Sequence, residues 1–312
     1  MTAPHRPPIL GTVPTTLCLL TLSALLASTP VPAGAMPQAQ QVSDAPTVQP
    51  LAFDWTRDGL IAGVSGALWI GSEAFLKKQL APKTCRWCDR AADGTDTLNA
   101  VDRWGRGVGG RTEEEREHWA LASDLTDFIA LPVAVFGGQY LLASGSGASP
   151  SLYAQDATII LQAATLSALM NQVVKFSVGR ERPFVHVLPE DQKGLTDKPT
   201  DNNLSFYSGH TSLAFSLVTA AGTVSELRGY RHSWLIWAVG LPAAASVGLM
   251  RMGADKHYLT DVLVGAVAGS AFGVGVPLLM HGRQPQATSQ QSSRMSLGVT
   301  GSANSIVLSG QF

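Results

Sequence analysis

The run Arg251-Met252-Gly253-Ala254-Asp255-Lys256-His257-Tyr258-Leu259-Thr260-Asp261 sits between two apolar segments, and its reading decides the rest of the chain. Positions four apart lie on one face of a helix, so Asp261 can reach back to His257. A carboxylate so placed fixes the tautomer of an imidazole, as the orienting group of a nucleophilic triad does. Arg251, six residues before the histidine, adds a permanent fork-shaped cation suited to a phosphate-like oxyanion. Chemistry concentrated at a helix-to-helix junction implies a helical scaffold with a functional end.

Working outward, six apolar segments are each long enough for a helix: roughly 59–80, 121–146, 154–178, 208–228, 233–250 and 258–280. Alanine, leucine, glycine and valine dominate them, and strand alternation is absent. The expected fold is all-α, a six-helix bundle with the active site at one end. Pro132 and Pro242 should kink their segments or start them late. Segment 262–280 is apolar enough to span a bilayer. Asp124 and Asp127 in the second segment, and Asp156, Gln162, Asn171 and Gln172 in the third, would be costly facing lipid. Both a membrane-integrated and a soluble bundle stay open at this point.

The flanks divide the 312 residues into four expected parts. Residues 1–35 read as an export signal, with an apolar run from Leu17 to Ala27 and a small-x-small site at Ala33-Gly34-Ala35; a retained anchor is the other reading. Residues 36–58 form a linker, 59–282 the helical domain, and 283–312 a polar linker with a short β-hairpin-like tail. Cys85 and Cys88 are a close pair that in an exported protein suggests a disulfide; free thiols, or a metal or redox role, are the alternatives. The run Glu113–Glu117 reads as a solvated helix face. Charged residues make up only 14 % and net charge is -1; with no basic stripe, nucleic acid is excluded as a partner.

Two further clusters ask for the same ligand as the opening run. Lys175 and Arg182-Pro183 close the third segment, and Tyr207-Ser208-Gly209-His210 opens the fourth. In an up-and-down bundle all three places fall at one end. Lys175, Arg182 and Arg251 would then converge, and three cations in one place call for an anion such as phosphate. Ser208 and Gly209 stand at a helix start, where free N–H groups and the helix dipole favour negative charge. Arg180 could contact phosphate or pair with a carboxylate.

Together these clusters resemble the type 2 phosphatidic acid phosphatase superfamily, which includes lipid phosphate phosphatases, class A acid phosphatases and vanadium haloperoxidases. The family pattern is K-x6-R-P, then P-S-G-H, then S-R-x5-H-x3-D. Tyr207 stands in place of the pattern's Pro and Met250 in place of its Ser. The resemblance implies that His257 attacks phosphorus, Asp261 holds its imidazole, and His210 protonates the leaving oxygen and then activates water. It implies that Lys175, Arg182, Ser208, Gly209 and Arg251 bind the phosphate, with no metal and no cofactor. The function it implies is a phosphoric ester hydrolase of the cell envelope, acting on phosphate monoesters or diphosphates. A phosphorylated lipid, an isoprenyl diphosphate or a small soluble phosphoester would be the substrate. The alternatives are a vanadium-dependent haloperoxidase, in which vanadate is the cofactor, and a non-catalytic anion- or lipid-binding envelope protein. The expected location is the periplasm or the membrane, with the site facing the periplasm.

Overall fold

A computed structural model describes residues 48–284 with their side chains. The expected export signal, the first part of the expected linker and the expected β tail lie outside those residues. The described chain is mostly helical, with isolated bridges but no strand between residues 48 and 284. In chain order its α-helices are α1 (Trp55–Gly71), α2 (Lys77–Leu80), α3 (Ala100–Gly105), α4 (Glu113–Leu125), α5 (Leu131–Gly145), α6 (Pro150–Val178), α7 (Pro183–His186), α8 (Gly209–Arg228), α9 (Trp234–Gly253) and α10 (Leu259–Met280). The count therefore exceeds the six expected. Two causes are visible. π turns at Ser72–Leu76 and Thr126–Ala130 interrupt otherwise continuous runs, and the short helices α3 and α7 lie in loops too polar to carry an apolar repeat.

Local sequence sets the helix ends. The Asp54 carboxylate accepts from the Arg57 amide at 2.7 Å and caps α1. Thr112 and Glu115 form a capping box on α4, so the acidic run Glu113–Glu117 occupies the start of a helix where its charge is favoured. Ser149 caps α6 ahead of Pro150, and Gly179 ends it in the left-handed conformation at φ 64°. The turn Thr126–Ala130 falls directly before α5, whose second residue is Pro132.

Helix α8 is the axis of the fold. It is buried over most of its length, including Ser212, Ser216, Thr219, Thr223 and Ser225. Small side chains on α10 let it approach closely. A β-carbon on Gly269 would lie 2.2 Å from the Ser212 carbonyl oxygen, and one on Gly273 would lie 2.0 Å from Thr219 Oγ1. Such backbone-to-backbone contact is how helices associate where a hydrophobic drive is weak.

Around a core that includes Ile159, Ile160, Leu217 and Val247, the bundle also buries polar groups and exposes large apolar ones. Asp156, Gln139, Gln162, Ser225 and Arg228 are fully buried, whereas Phe75, Leu141, Val267 and Leu279 are 76, 70, 71 and 87 % exposed. Every buried polar group just named finds a partner. Arg228 Nε donates to Asp156 at 2.7 Å, Gln139 Nε2 donates to the same carboxylate at 3.2 Å, and Ser225 Oγ donates to Gln139 Oε1 at 2.8 Å. His281 and Gln162 are joined at 2.9 Å. Five helical runs, Trp55–Leu80, Glu113–Gly145, Pro150–Val178, Trp234–Gly253 and Leu259–Met280, are long and apolar enough to cross a membrane. Asp127 of the second segment and Asp156, Gln162, Asn171 and Gln172 of the third are buried inside the bundle, and Asp124 lines a cavity at its end, so their polarity is no objection to a surrounding lipid.

Candidate active site

The ends of α6, α8, α9 and α10 meet around a cavity of about 890 Å³ whose lining includes Lys175, Arg182, Gly209, His210, Arg251 and His257. The three cations come from separate elements. Lys175 is on the last turn of α6, Arg182 caps α7, and Arg251 is near the end of α9. Arg182 is fixed by backbone carbonyls: Nε donates to Asp201 at 2.8 Å and Nη1 to Lys256 at 3.2 Å. Arg251 Nη1 donates to Ser123 Oγ at 3.1 Å and to Asp124 Oδ1 at 3.3 Å. Its Nε is buried with no acceptor among the described residues.

Lys256 also lines the cavity. Burial, with Arg182 and Arg251 nearby, brings its ammonium down to about 8. Its Nζ lies 4.4 Å from the centre of the Phe184 ring. No sequence motif singles out this residue.

His257 is buried just before α10. Its Nδ1 is 2.7 Å from the Ser205 carbonyl oxygen, which can only accept, so Nδ1 carries the proton and the Nε2 lone pair is free. Burial first, and then the Arg182, Arg251 and Lys175 cations, push this imidazole well below the usual histidine range. The residue is therefore neutral at neutral pH, the state a nucleophile requires.

The orienting arrangement differs from the expected one. Asp261 stands 3.8 Å from His257 Nδ1, too far for a hydrogen bond. Its Oδ2 instead accepts from Ser205 Oγ at 2.5 Å and from the Tyr258 amide at 3.0 Å. Its Oδ1 accepts from Arg180 at 2.7 Å. Asp261 thus acts on His257 through Ser205, whose carbonyl holds the ring. The reason is geometric: α10 begins after His257, so the pair does not share a helix face.

Ser208 also departs from expectation. It is fully buried as the N-cap of α8. Its hydroxyl accepts from Thr211 Oγ1 at 2.9 Å, and its amide donates to the Asp261 carbonyl at 3.0 Å. Both groups are engaged inside the protein. Gly209, the first residue of α8, is the one whose backbone meets the cavity. A β-carbon there would lie 2.6 Å from Asn171 Oδ1 and 3.0 Å from Lys175 Nζ.

His210 Nε2 is 2.8 Å from Asp124 Oδ1, and its ring meets Phe128 edge-on at a centroid distance of 5.0 Å. Asp124 thus bridges His210 and Arg251. Arg180 resolves to carboxylate pairing: it is fully buried among Asp89, Asp102 and Asp261. Cys85 and Cys88 form a disulfide. Among the described residues no group of three or more His, Cys, Asp or Glu side chains is placed to hold a metal ion.

Three cations and two histidines thus stand together around one cavity at an end of the helical scaffold. Residues 156–285, which carry all three motifs, match the PAP2 superfamily model, so the resemblance read from the motifs is established over that region. Phospholipid phosphatase 1 of Rattus norvegicus is 29 % identical over 137 residues, covering 37 % of this chain and 48 % of the relative. The chain spans about half the length of that curated relative. The crystal structure of the first transmembrane PAP2 type phosphatidylglycerolphosphate phosphatase from Bacillus subtilis matches with 17 % identity and a TM-score of 0.39, covering 70 % of this chain and 93 % of that one.

Proposed function

We propose that the protein is a membrane-integrated phosphatase that hydrolyses a phosphorylated lipid through a phosphohistidine, without a metal ion. The observation that carries this reading is the convergence of Lys175, Arg182 and Arg251 on the cavity where His257 is held neutral. Burial, Arg251 and Lys175 push the His210 imidazole down to about 3 in the empty cavity; a bound phosphate dianion offsets those cations and, with Asp124, lets His210 take up a proton from solvent. His257 Nε2 then attacks phosphorus, and the P–O bond to the lipid breaks as His210 gives that proton to the leaving oxygen. His210 then takes a proton from water, whose oxygen displaces the imidazole and releases phosphate. The three cations and the Gly209 amide stabilise the equatorial oxygens as their charge grows.

Membrane integration is supported by the five apolar runs and the exposed apolar faces. A lipid substrate is supported by the same faces and by apolar side chains in the cavity wall, Phe184, Leu188 and Leu195 among them. The disulfide at Cys85–Cys88 supports a site on the non-cytoplasmic side, because such bonds persist in oxidising compartments. The test uses purified protein with a panel of phosphorylated lipids in chelator. Phosphate release by the wild type and its abolition in His257→Ala are expected, with acid-labile radiolabelled phosphate trapped only on the wild type. Equal turnover by His257→Ala would end the proposal.

A further inference from the structure

Arg180 belongs to none of the groups that meet the phosphate, yet it is the most heavily engaged side chain in the region. It is fully buried. Nη2 donates to Asp102 at 2.7 Å and to Asp89 at 2.9 Å, and Nε donates to Asp89 at 3.1 Å. Nη1 donates to Asp261 at 2.7 Å and to Thr260 Oγ1 at 2.8 Å. The guanidinium plane is stacked between Trp87 and Tyr258, 4.1 and 4.2 Å from the ring centres. Its backbone carbonyl accepts from the Ser205 amide at 3.0 Å.

Two of these contacts lead to the nucleophile. Asp261, held by Arg180, accepts the Ser205 hydroxyl; Ser205, held also by the Arg180 carbonyl, accepts the His257 Nδ1 proton. The other contacts lead outward to the disulfide loop. Trp87 lies between the two cysteines and Asp89 follows the second. The loop is tied to the same stretch by its backbone, with the Arg86 amide donating to the Gly179 carbonyl at 2.9 Å and the Glu181 amide to the Trp87 carbonyl at 3.0 Å.

We infer that Arg180 is the positioning residue of the nucleophile, and that the Cys85–Cys88 loop clamps it in place. This inference rests on the phosphatase reading above. Arg180 works through Asp261 and Ser205 to aim the His257 ring, and it touches no substrate. Lysine cannot replace it, since one ammonium lacks the planar fork that reaches three carboxylates and stacks between two rings. Misplacing a reacting group by about 1 Å can cost about 10²-fold in rate. The phosphate cradle is built from other residues and should survive.

The test measures kcat, KM, inhibition by inorganic phosphate and melting temperature for the full-length wild type, Arg180→Lys and Asp89→Asn. A fourth sample is wild type reduced and alkylated at Cys85 and Cys88. The expected signature in Arg180→Lys is a kcat about 10- to 100-fold lower, with phosphate inhibition unchanged. Asp89→Asn and the reduced protein should show the same signature more weakly. They also carry the test if Arg180→Lys does not fold, since Asp89 lies at the margin of the network. A kcat unchanged in all altered samples, or phosphate inhibition that weakens in step with kcat, would overturn the inference, because a cradle collapse would then explain the loss. A wild type that hydrolyses nothing refutes the phosphatase reading itself, whereas an active wild type matched by its variants refutes the positioning role alone.

Discussion

Replacing Arg182 by glutamine removes one charge from the cavity and leaves an amide donor in its place. Arg182 spends Nε and Nη1 on the carbonyls of Asp201 and Lys256, and Nη2 makes no hydrogen bond to another described residue. The guanidinium is thus anchored on one edge and free on the other to meet a phosphate oxygen. Removing one such preorganised donor costs about 10²–10³ in kcat, or about 2.7–4 kcal/mol. The substitution has a second consequence that a general loss of structure would not produce. Arg182 is the largest charged contributor, after burial, to the lowering of the His257 imidazole. In the proposed mechanism His257 attacks in its neutral form, so kcat/KM falls as pH drops through that group's titration. Because the group is depressed in the wild type, its acid limb lies below the ordinary histidine value of about 6.5. Without the Arg182 charge the imidazolium forms more readily, and the limb moves to higher pH. The assay is kcat/KM from pH 4 to 8 for both proteins on one substrate, so that the ionisation of the substrate phosphate cancels in the difference. A limb that stays in place, or moves to lower pH in Arg182→Gln, would refute the claim that this cation holds His257 neutral.

Three other outcomes follow from the same geometry. Asp124→Asn keeps the shape beside His210 but removes the charge; with Asp124 52 % exposed on its side chain, the loss should be about 1–2 kcal/mol, read as a kcat about 5- to 30-fold lower. A kcat within twofold of wild type would show that the His210–Asp124 contact has no part in proton transfer. Gly269→Ala drives a β-carbon against the Ser212 carbonyl and should cost about 1–3 kcal/mol of stability, seen as a lower melting temperature; an unchanged melting temperature would mean that α8 and α10 are not packed this closely. Arg228→Met leaves the buried Asp156 without its cation and should cost about 3–5 kcal/mol, while kcat of the protein that remains folded stays at the wild-type level. A selective loss of kcat in that variant would couple this network to the site and contradict the separation of the two.

The convergence of the cations and histidines was legible in the sequence because each falls at a helix end with its own short motif, and the bundle brings those ends together. The sequence did not reveal the groups that hold these side chains. Asp124 lies in an apolar run 86 residues from His210, and no local spacing links the two. Ser205 acts through a backbone carbonyl, which every residue possesses, so no side chain announces it. Asp261 lies 3.8 Å from His257 Nδ1 without a hydrogen bond, because helical spacing does not hold across a junction where the helix has not begun. For Ser208 the limit is similar: a serine before a helix can cap it or face a ligand, and its cap bonds to Thr211 and Asp261 depend on tertiary packing that local sequence does not carry. The fold followed a similar course. Apolar length located the long runs, but π turns and the short helices α3 and α7 depend on contacts that hydropathy does not encode.

The proposed facing of the site bears on the expected export signal. The Gln49 amide donates to the Arg228 carbonyl, and the Gln284 amide to that of Pro50, so the chain enters α1 beside the end of α8. The site lies at the start of α8, 20 residues away along that helix, or about 30 Å at 1.5 Å per residue. That is the thickness of a bilayer core. If the disulfide and the site face an oxidising compartment, residues 49–54 face the opposite one, and a cleaved signal would have delivered them to the wrong side. The two expectations compete, and a single measurement separates them. With a cysteine introduced at Ala52 as the only free thiol, a membrane-impermeant maleimide added to intact cells should fail to label it and should label it after the membrane is permeabilised. Labelling in intact cells would instead favour the export signal and place the active site on the cytoplasmic side, where the Cys85–Cys88 pair would be kept reduced.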